Sequence, residues 1–309
     1  MPELRVADRQ FQVAAGSNLL DALLGAGIAI PYSCRAGSCQ ACMVRCLHGE
    51  PRDDRPDALD ARRRDEGWRL ACQCRVIDDL QVQAFDPQRD GRPAEIQQCD
   101  WLCPDLLRLR LVPLQPLRYA AGQHLLLWAD GVARPYSLAS LPGEDGFLEF
   151  HIDCSRPGAF ASAARQFAPG QRLGLGALRG GALHYASEWQ AKPLLLMAAG
   201  TGLAPLYGVL REALRQQHSG PIQLIHLARA GEHYLAAELA ELALRHSQLQ
   251  VETITRDALD ERLARLRPPR QTQALLCGQP QALESFAKRL YLAGLPRGQV
   301  LADAFLPHA

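Results

Sequence analysis

Four cysteines, Cys34, Cys39, Cys42 and Cys72, stand in the order C-x4-C-x2-C-x29-C, and no other feature constrains this chain as much. Thiolates at these intervals can wrap a two-iron, two-sulfur (2Fe-2S) core, three from one loop and the fourth from a distance. Soft sulfur ligands of this kind select iron–sulfur centres over hard cations. The loop text CRAGSC suits the wrap, because Gly37 tolerates the positive φ of a tight bend and loop amides can then point at sulfur. The competing reading, a disulfide framework, belongs to secreted scaffolds. The opening text MPELRVADRQFQV lacks the basic-then-apolar order of a secretory leader. The expectation is therefore a cytoplasmic chain whose ten cysteines serve metal rather than disulfides.

By sequence distance alone, either Cys72 or Cys74 of LACQCRV can supply the fourth thiolate. The text WRLACQCRVIDDLQV resembles the LACQ segment of plant-type ferredoxin modules in multidomain reductases, and that resemblance implies Cys72. Cys46, Cys74, Cys99, Cys103 and Cys154 form no ligand pattern and are expected to be small buried apolar residues.

Three kinds of text follow one another, and 309 residues leave room for two or three domains. Residues 1–88 alternate strand-like runs with one amphipathic helix, LLDALLGAG, capped by Ser17 or Asn18, and LRVADRQFQV reads as a hairpin. The stretch DPQRDGRPAE has linker composition. Residues 94–188 are short β-rich runs broken by Pro and Gly, the pattern of an antiparallel barrel. Residues 192–309 switch to strand, Gly turn, helix, strand, which predicts a parallel α/β nucleotide-binding sheet. The fold class expected is thus multidomain: a β-grasp ferredoxin, an antiparallel flavin barrel and a Rossmann-like domain. A formal charge of +1 gives no basic excess for nucleic acid. Apolar runs such as PLLLMAAG fall far short of the ~20 residues that span a bilayer, so no membrane insertion is expected.

Within the barrel text, Arg134-Pro135-Tyr136-Ser137 resembles the R-x-Y-S/T motif of the ferredoxin-NADP reductase superfamily, and YAAGQHLLLW before it resembles the superfamily's PGQ strand. The resemblance implies FAD. Arg134 would offer its fork of donors to the diphosphate, Tyr136 a flat face to the ring system, and Ser137 a hydroxyl near the nitrogen that receives hydride. Gly158 and Ser162 of PGAFAS would cradle the pyrophosphate, although the loop lacks the family's second glycine.

Gly200-Thr201-Gly202 followed by Leu203-Ala204-Pro205 lies where a strand turns into a helix, a place for a diphosphate. It resembles the superfamily's GTGxAP, with Pro205 completing it. Cys277-Gly278-Gln279-Pro280 resembles CGxP, which implies that Cys277 and Gly278 lie against nicotinamide. The closing LADAF resembles the acid-x-aromatic tail, so that Asp303 would bond around Ser137 and Phe305 would cover the flavin; Asp303 is shorter than the usual Glu. Ser137, Cys277, Asp303 and Phe305 form the expected catalytic group. Arg229 is the cation placed to meet the adenosine ribose, with Glu232 close behind and Arg256 after the next strand; the reading favours NADH and leaves NADPH open.

In this order the three modules resemble single-chain NAD(P)H reductase components of bacterial oxygenases. The resemblance implies an oxidoreductase that moves electrons from NADH through FAD and the 2Fe-2S cluster to a protein acceptor, an oxygenase or hydroxylase component. Reduction of another acceptor (a deoxysugar dehydratase, a ferric complex or a quinone) or a redox sensor without turnover are the alternatives. The outgoing electron is expected to leave by the loop rim around Arg35, Ala36 and Ser38.

Overall fold

The computed structural model describes residues 1–180 and 182–305; residues 181 and 306–309, the end of the nucleotide-binding text, lie outside them. The N-terminal part contains β1 (Glu3–Val6), β2 (Arg9–Gln12), β3 (Ser17–Asn18), α1 (Leu19–Gly25), β4 (Met43–His48), β5 (Arg52–Asp53), α2 (Ala61–Asp65), β6 (Trp68–Leu70), β7 (Cys74–Val76) and β8 (Leu80–Ala84). The expected hairpin is β1 with β2, turned through Ala7 at φ 49°. Parallel pairing of β1 with β8 makes this a mixed sheet, ordered β2-β1-β8-β4-β6. Of the two candidate caps, Asn18 starts α1, its side chain accepting from the Asp21 amide at 3.3 Å. Leu19, Leu20 and Leu23 of α1 are fully buried in the core of this domain.

The middle part holds β9 (Arg92–Cys103), β10 (Leu106–Pro113), β11 (His124–Ala129), β12 (Val132–Ser137), β13 (Leu148–Asp153), α3 (Ala159–Ala164) and β14 (Arg172–Arg179). Its six strands pair antiparallel in the order β12-β11-β14-β9-β10-β13. The two ends meet where the Ala139 amide donates to the Glu149 carbonyl at 2.9 Å, curling the sheet into a barrel.

The last part alternates β15 (Leu194–Ala199), α4 (Leu203–Arg215), β16 (Ile222–Leu227), α5 (Ala236–Arg245), β17 (Leu249–Ile254), α6 (Leu259–Arg265), β18 (Gln273–Gly278), α7 (Pro280–Leu292) and β19 (Val300–Ala304). All strands are parallel in the order β17-β16-β15-β18-β19. Chain order reverses between β15 and β18, so the crevice beyond their carboxyl ends is the place where such sheets bind ligands.

Immediately before the stretch with linker composition, the first domain is packed against the barrel. Phe85 is buried between Trp68 of the first domain and Trp128 of the barrel, with ring centroids 5.6 and 5.0 Å away. β9 already begins at Arg92, inside that text. Leu126, Trp128 and Ala133 on the barrel's outer side belong to the same apolar cluster as the ferredoxin-like core. Burying a side chain the size of Phe85 contributes about 1.5–3 kcal/mol, which holds the first two domains against each other.

Candidate functional site

The loop between α1 and β4 carries three of the four cysteines of the series. Arg35, Gly37 and Gln40 all take positive φ, at 49°, 79° and 59°, and this folds the loop tightly on itself. A Cβ on Gly37 would stand 3.2 Å from both the Ala58 Cβ and the Gln73 Cγ, so crowding as well as φ favours glycine there. The amides of Ala36 and Cys39 donate to the Cys34 Sγ at 3.3 Å. Gln73 donates to the Cys72 Sγ at 3.1 Å and to the Arg35 carbonyl at 3.0 Å, tying the distant cysteine to the loop.

The thiols gather as two pairs, Cys34 with Cys39 and Cys42 with Cys72. In each pair the shared hydrogen bond lowers one thiol and raises the other. The Cys39 thiol brings Cys34 down to about 4, the Cys42 thiol brings Cys72 to about 7, and both partners are pushed up. Among the described residues no three metal-binding side chains surround a single point. Two pairs fit a binuclear core that takes two sulfurs at each iron, whereas a mononuclear centre would require one tetrad. Cys74 lies elsewhere: it is buried on β7 opposite Asp53, with Cys46 and Arg69 nearby, and burial raises its thiol. Cys154 is buried as expected, but Cys46, Cys99 and Cys103 are only half-buried. Cys103 departs furthest from an apolar core role, because it lines the nucleotide cavity described below.

β12 carries Arg134, Tyr136 and Ser137. One nitrogen of Arg134 donates to the Ala133 carbonyl at 2.8 Å, which fixes the fork close to its own strand. One side of the Tyr136 ring is met by Phe160 of α3 at 5.1 Å. Gly158 precedes α3 and has open space where a Cβ would lie; Ser162 is exposed, its amide already donated to the Gly158 carbonyl at 2.9 Å. Of the two, Gly158 is the residue whose surroundings leave room for a phosphate, and the Ser162 hydroxyl is what that side chain still offers. Ser137 is buried and sits opposite His124 of β11. The His124 Nδ1 is buried and has no hydrogen-bond partner among the described residues. Burial pulls this imidazole down while the Asp303 carboxylate pulls it up, and burial in turn raises Asp303. His124, in register with Ser137 on the neighbouring barrel strand, thus lies near Asp303 of β19 across the domain seam, and Asp303 is in register with Cys277 of β18. A buried, unpartnered imidazole nitrogen beside Ser137 is a feature that a ring system bearing polar atoms would satisfy.

At the switch point, Gly200–Gly202 forms a single tight turn leading into α4, with Gly200 at φ 56°. The His226 Nε2 pairs with the Gly200 carbonyl at 3.1 Å. Pro205 is buried in the first turn of α4 and Cys277 is fully buried at the end of β18. Burial, then the nearby Asp303 carboxylate, pushes the Cys277 thiol well up, so it remains a neutral SH. The Phe305 amide donates to the Gly278 carbonyl at 2.8 Å. In front of these turns lies a cavity of about 390 Å³, lined by Gly200, Thr201, Arg229, Glu232, Arg256 and Phe305 among others. Arg229 and Glu232 pair there at 3.2 Å. The cavity therefore unites the nucleotide candidates except Cys277, Gly202, Gly278 and Pro205, which form its support. His124, His226 and Tyr234 were not singled out by sequence, although His124 directly follows the Gly-Gln pair before RPYS.

Comparisons with known proteins agree with this arrangement. Residues 4–76 match the 2Fe-2S iron-sulfur cluster binding domain, residues 94–183 the oxidoreductase FAD-binding domain and residues 196–289 the oxidoreductase NAD-binding domain. The chain is 30% identical to the reductase subunit of an aromatic O-demethylase from Amycolatopsis sp., over 98% of each chain. It is also 30% identical to the ferredoxin–NAD(P)(+) reductase component of the naphthalene 1,2-dioxygenase system of Pseudomonas putida, over 97% of each. The crystal structure of an Amycolatopsis cytochrome P450 reductase superposes with a TM-score of 0.67 at 27% identity, covering all of both chains. With its cluster-binding, flavin-binding and nucleotide-binding domains in this order, the chain belongs to the family of NAD(P)H-dependent ferredoxin reductase components of oxygenase systems.

Proposed function

We propose that this protein oxidises NADH and delivers the electrons one at a time, through FAD and a 2Fe-2S cluster, to a separate oxygenase or hydroxylase component. The observation that carries the reading is the approach of His124, in register with Ser137, to Asp303, in register with Cys277, at the seam between barrel and nucleotide domain. Bound flavin supplies the exchange between an electron pair arriving as hydride and single electrons leaving to the cluster. The protein's part is positioning. Arg134, Tyr136 and Gly158 would hold the flavin; Gly200, Thr201 and Gly202 would take the dinucleotide diphosphate on their turn; Cys277, kept neutral by burial, would pack against nicotinamide without acting as a base. Cys34, Cys39, Cys42 and Cys72 would ligate the cluster.

Glu232 supports the NADH preference. A carboxylate paired with Arg229 inside the cavity accepts a ribose hydroxyl and repels a 2′-phosphate. Arg35, Ala36 and Ser38 are exposed, which leaves the outer rim of the cluster loop accessible to a partner. Among the described residues no helix is long and apolar enough to cross a membrane, and the proposed working place is the cytoplasm, where NADH and reduced thiols are at hand.

The test is an anaerobic titration of cluster-intact protein with NADH and separately NADPH, following flavin bleaching, the visible cluster bands and the EPR of the reduced state. Flavin reduction by NADH followed by a rhombic 2Fe-2S signal is the expected result. A bound flavin that neither nucleotide reduces would overturn the reading in favour of a sensor.

A further inference from the structure

The cluster loop has an outer rim that is open to solvent and an inner side that meets the barrel through one backbone carbonyl. Ala58, in the turn before α2, packs on Gly37, and its oxygen accepts two donors. One is the Gln40 Nε2 at 2.7 Å, from the residue next to Cys39. The other is the Arg179 Nη2 at 3.3 Å, from the end of β14 in the barrel. Gln40 is 2% exposed and its buried Oε1 has no partner among the described residues, so the bond to Ala58 sets the orientation of this amide. On the barrel side Arg179 is in register with His124, and His124 with Ser137. Among the described residues Arg179 has no carboxylate within ion-pair distance, and its side-chain hydrogen bond crosses to the other domain.

We infer that Arg179 is a positioning residue for the passage of electrons from the flavin site to the cluster, holding the Ala58–Gln40 side of the cluster loop against the barrel and filling the gap with bonded atoms. This rests on the flavin-to-cluster order proposed above. Electron transfer weakens steeply when the space between donor and acceptor widens or loses its bonded bridge. The chain Ser137, His124, Arg179, Ala58, Gln40, Cys39 runs from the flavin motif to a cluster cysteine with one hydrogen-bonded acceptor shared between the domains. The loop thereby has an inlet at Ala58 and Gln40 and an outlet at Arg35, Ala36 and Ser38.

The experiment compares Arg179→Met, which removes donor and charge at similar length, with Arg179→Lys, which keeps both. Anaerobic stopped-flow mixing with NADH separates flavin bleaching from cluster bleaching, and hydrogen–deuterium exchange of the peptide containing residues 56–58 reads the contact without reference to turnover. The expected result for Arg179→Met is unchanged flavin bleaching, cluster reduction slowed about tenfold by the loosened geometry, and faster exchange at residues 56–58; Arg179→Lys restores most of all three. Cluster reduction and exchange that match wild type in Arg179→Met would overturn the role of Arg179 alone. A wild-type protein whose flavin bleaches but whose cluster never does would overturn the electron order itself.

Discussion

Gly202 lies so close to the end of β18 that a Cβ added to it would stand 2.1 Å from the carbonyl oxygen of Cys277. The neighbouring turn is as tight: Gly278 has φ 138°, and a Cβ there would come within 2.5 Å of the Ala199 carbonyl. The two glycine turns on either side of the switch point are therefore interlocked backbone to backbone, and neither can accept a side chain without opening the crevice. Gly202→Ala should cost about 1–3 kcal/mol of stability through overpacking. It should also raise the KM for NADH by at least tenfold while leaving flavin and cluster absorption intact. Nucleotide titration of the purified variant checks this; unchanged affinity would mean that the turn does not touch the dinucleotide.

Cys72 and Cys74 are two residues apart in the same short text, and the structure separates them. Cys72 is paired with Cys42 and receives the Gln73 amide, whereas Cys74 is buried beside Asp53 on β7. Cys72→Ser is expected to lose most of the cluster's visible absorption and iron, and Cys74→Ser to retain both with only a modest packing loss. Iron analysis and EPR on the two variants decide it, and equal loss in both would return the fourth ligand to an open choice.

Glu232 and Arg229 bring opposite charges to the cavity, at what we propose is its adenosine end. Arg229→Glu should raise the KM for NADH about tenfold, the size of one lost charge-assisted hydrogen bond. Glu232→Gln removes the group that would repel a 2′-phosphate, so it should narrow the preference for NADH over NADPH without lowering kcat. Steady-state kinetics with both nucleotides would show an unaltered ratio if neither residue reaches the ribose.

Much of this architecture was legible because the chemistry is carried by contiguous text. The CRAGSCQAC loop, RPYS, GTGLAP and CGQP each fold locally into a turn or strand end, so their type and order already imply the modules. The inner connection was illegible for the opposite reason. Arg179 and His124 become neighbours only when β14 pairs with β11 across 54 intervening residues, a consequence of barrel closure that no local pattern encodes. Ala58 acts through its carbonyl, which every residue possesses. The polar, proline-bearing text around Phe85 reads as a linker because composition cannot show that one aromatic ring is wedged between Trp68 and Trp128. His226 sits in an apolar strand run and looks like ordinary core until its contact with the Gly200 carbonyl is seen.

Burial of that histidine, and separately the bonding of the buried Glu149, make the seam sensitive to acid in two separable steps. Burial lowers His226 from 6.5 to about 4, against the Gly200 carbonyl, which favours its charged form. The folded protein thus keeps the ring neutral while the unfolded chain binds a proton below 6.5, so stability falls as pH drops from 6.5 towards 4. Glu149 faces the barrel side of the same seam through His151, whose ring meets Tyr234 at 5.1 Å, as Tyr234 in turn meets His226 at 5.3 Å. Burial alone would raise Glu149, but His151 at 3.0 Å and Arg110 at 2.7 Å overcome it and bring it from 4.5 to about 2. Its stabilisation is complete above 4.5 and is lost as pH falls through 2. Each group contributes on the order of 3 kcal/mol at full extent. Thermal melts across pH should therefore show His226→Gln flattening the slope between 6.5 and 4, and Glu149→Gln flattening only the region below 4.5. Melting profiles whose slopes above pH 4.5 are the same in wild type and His226→Gln would show that this histidine takes up its proton equally in the folded and unfolded chain, and that burial does not lower it.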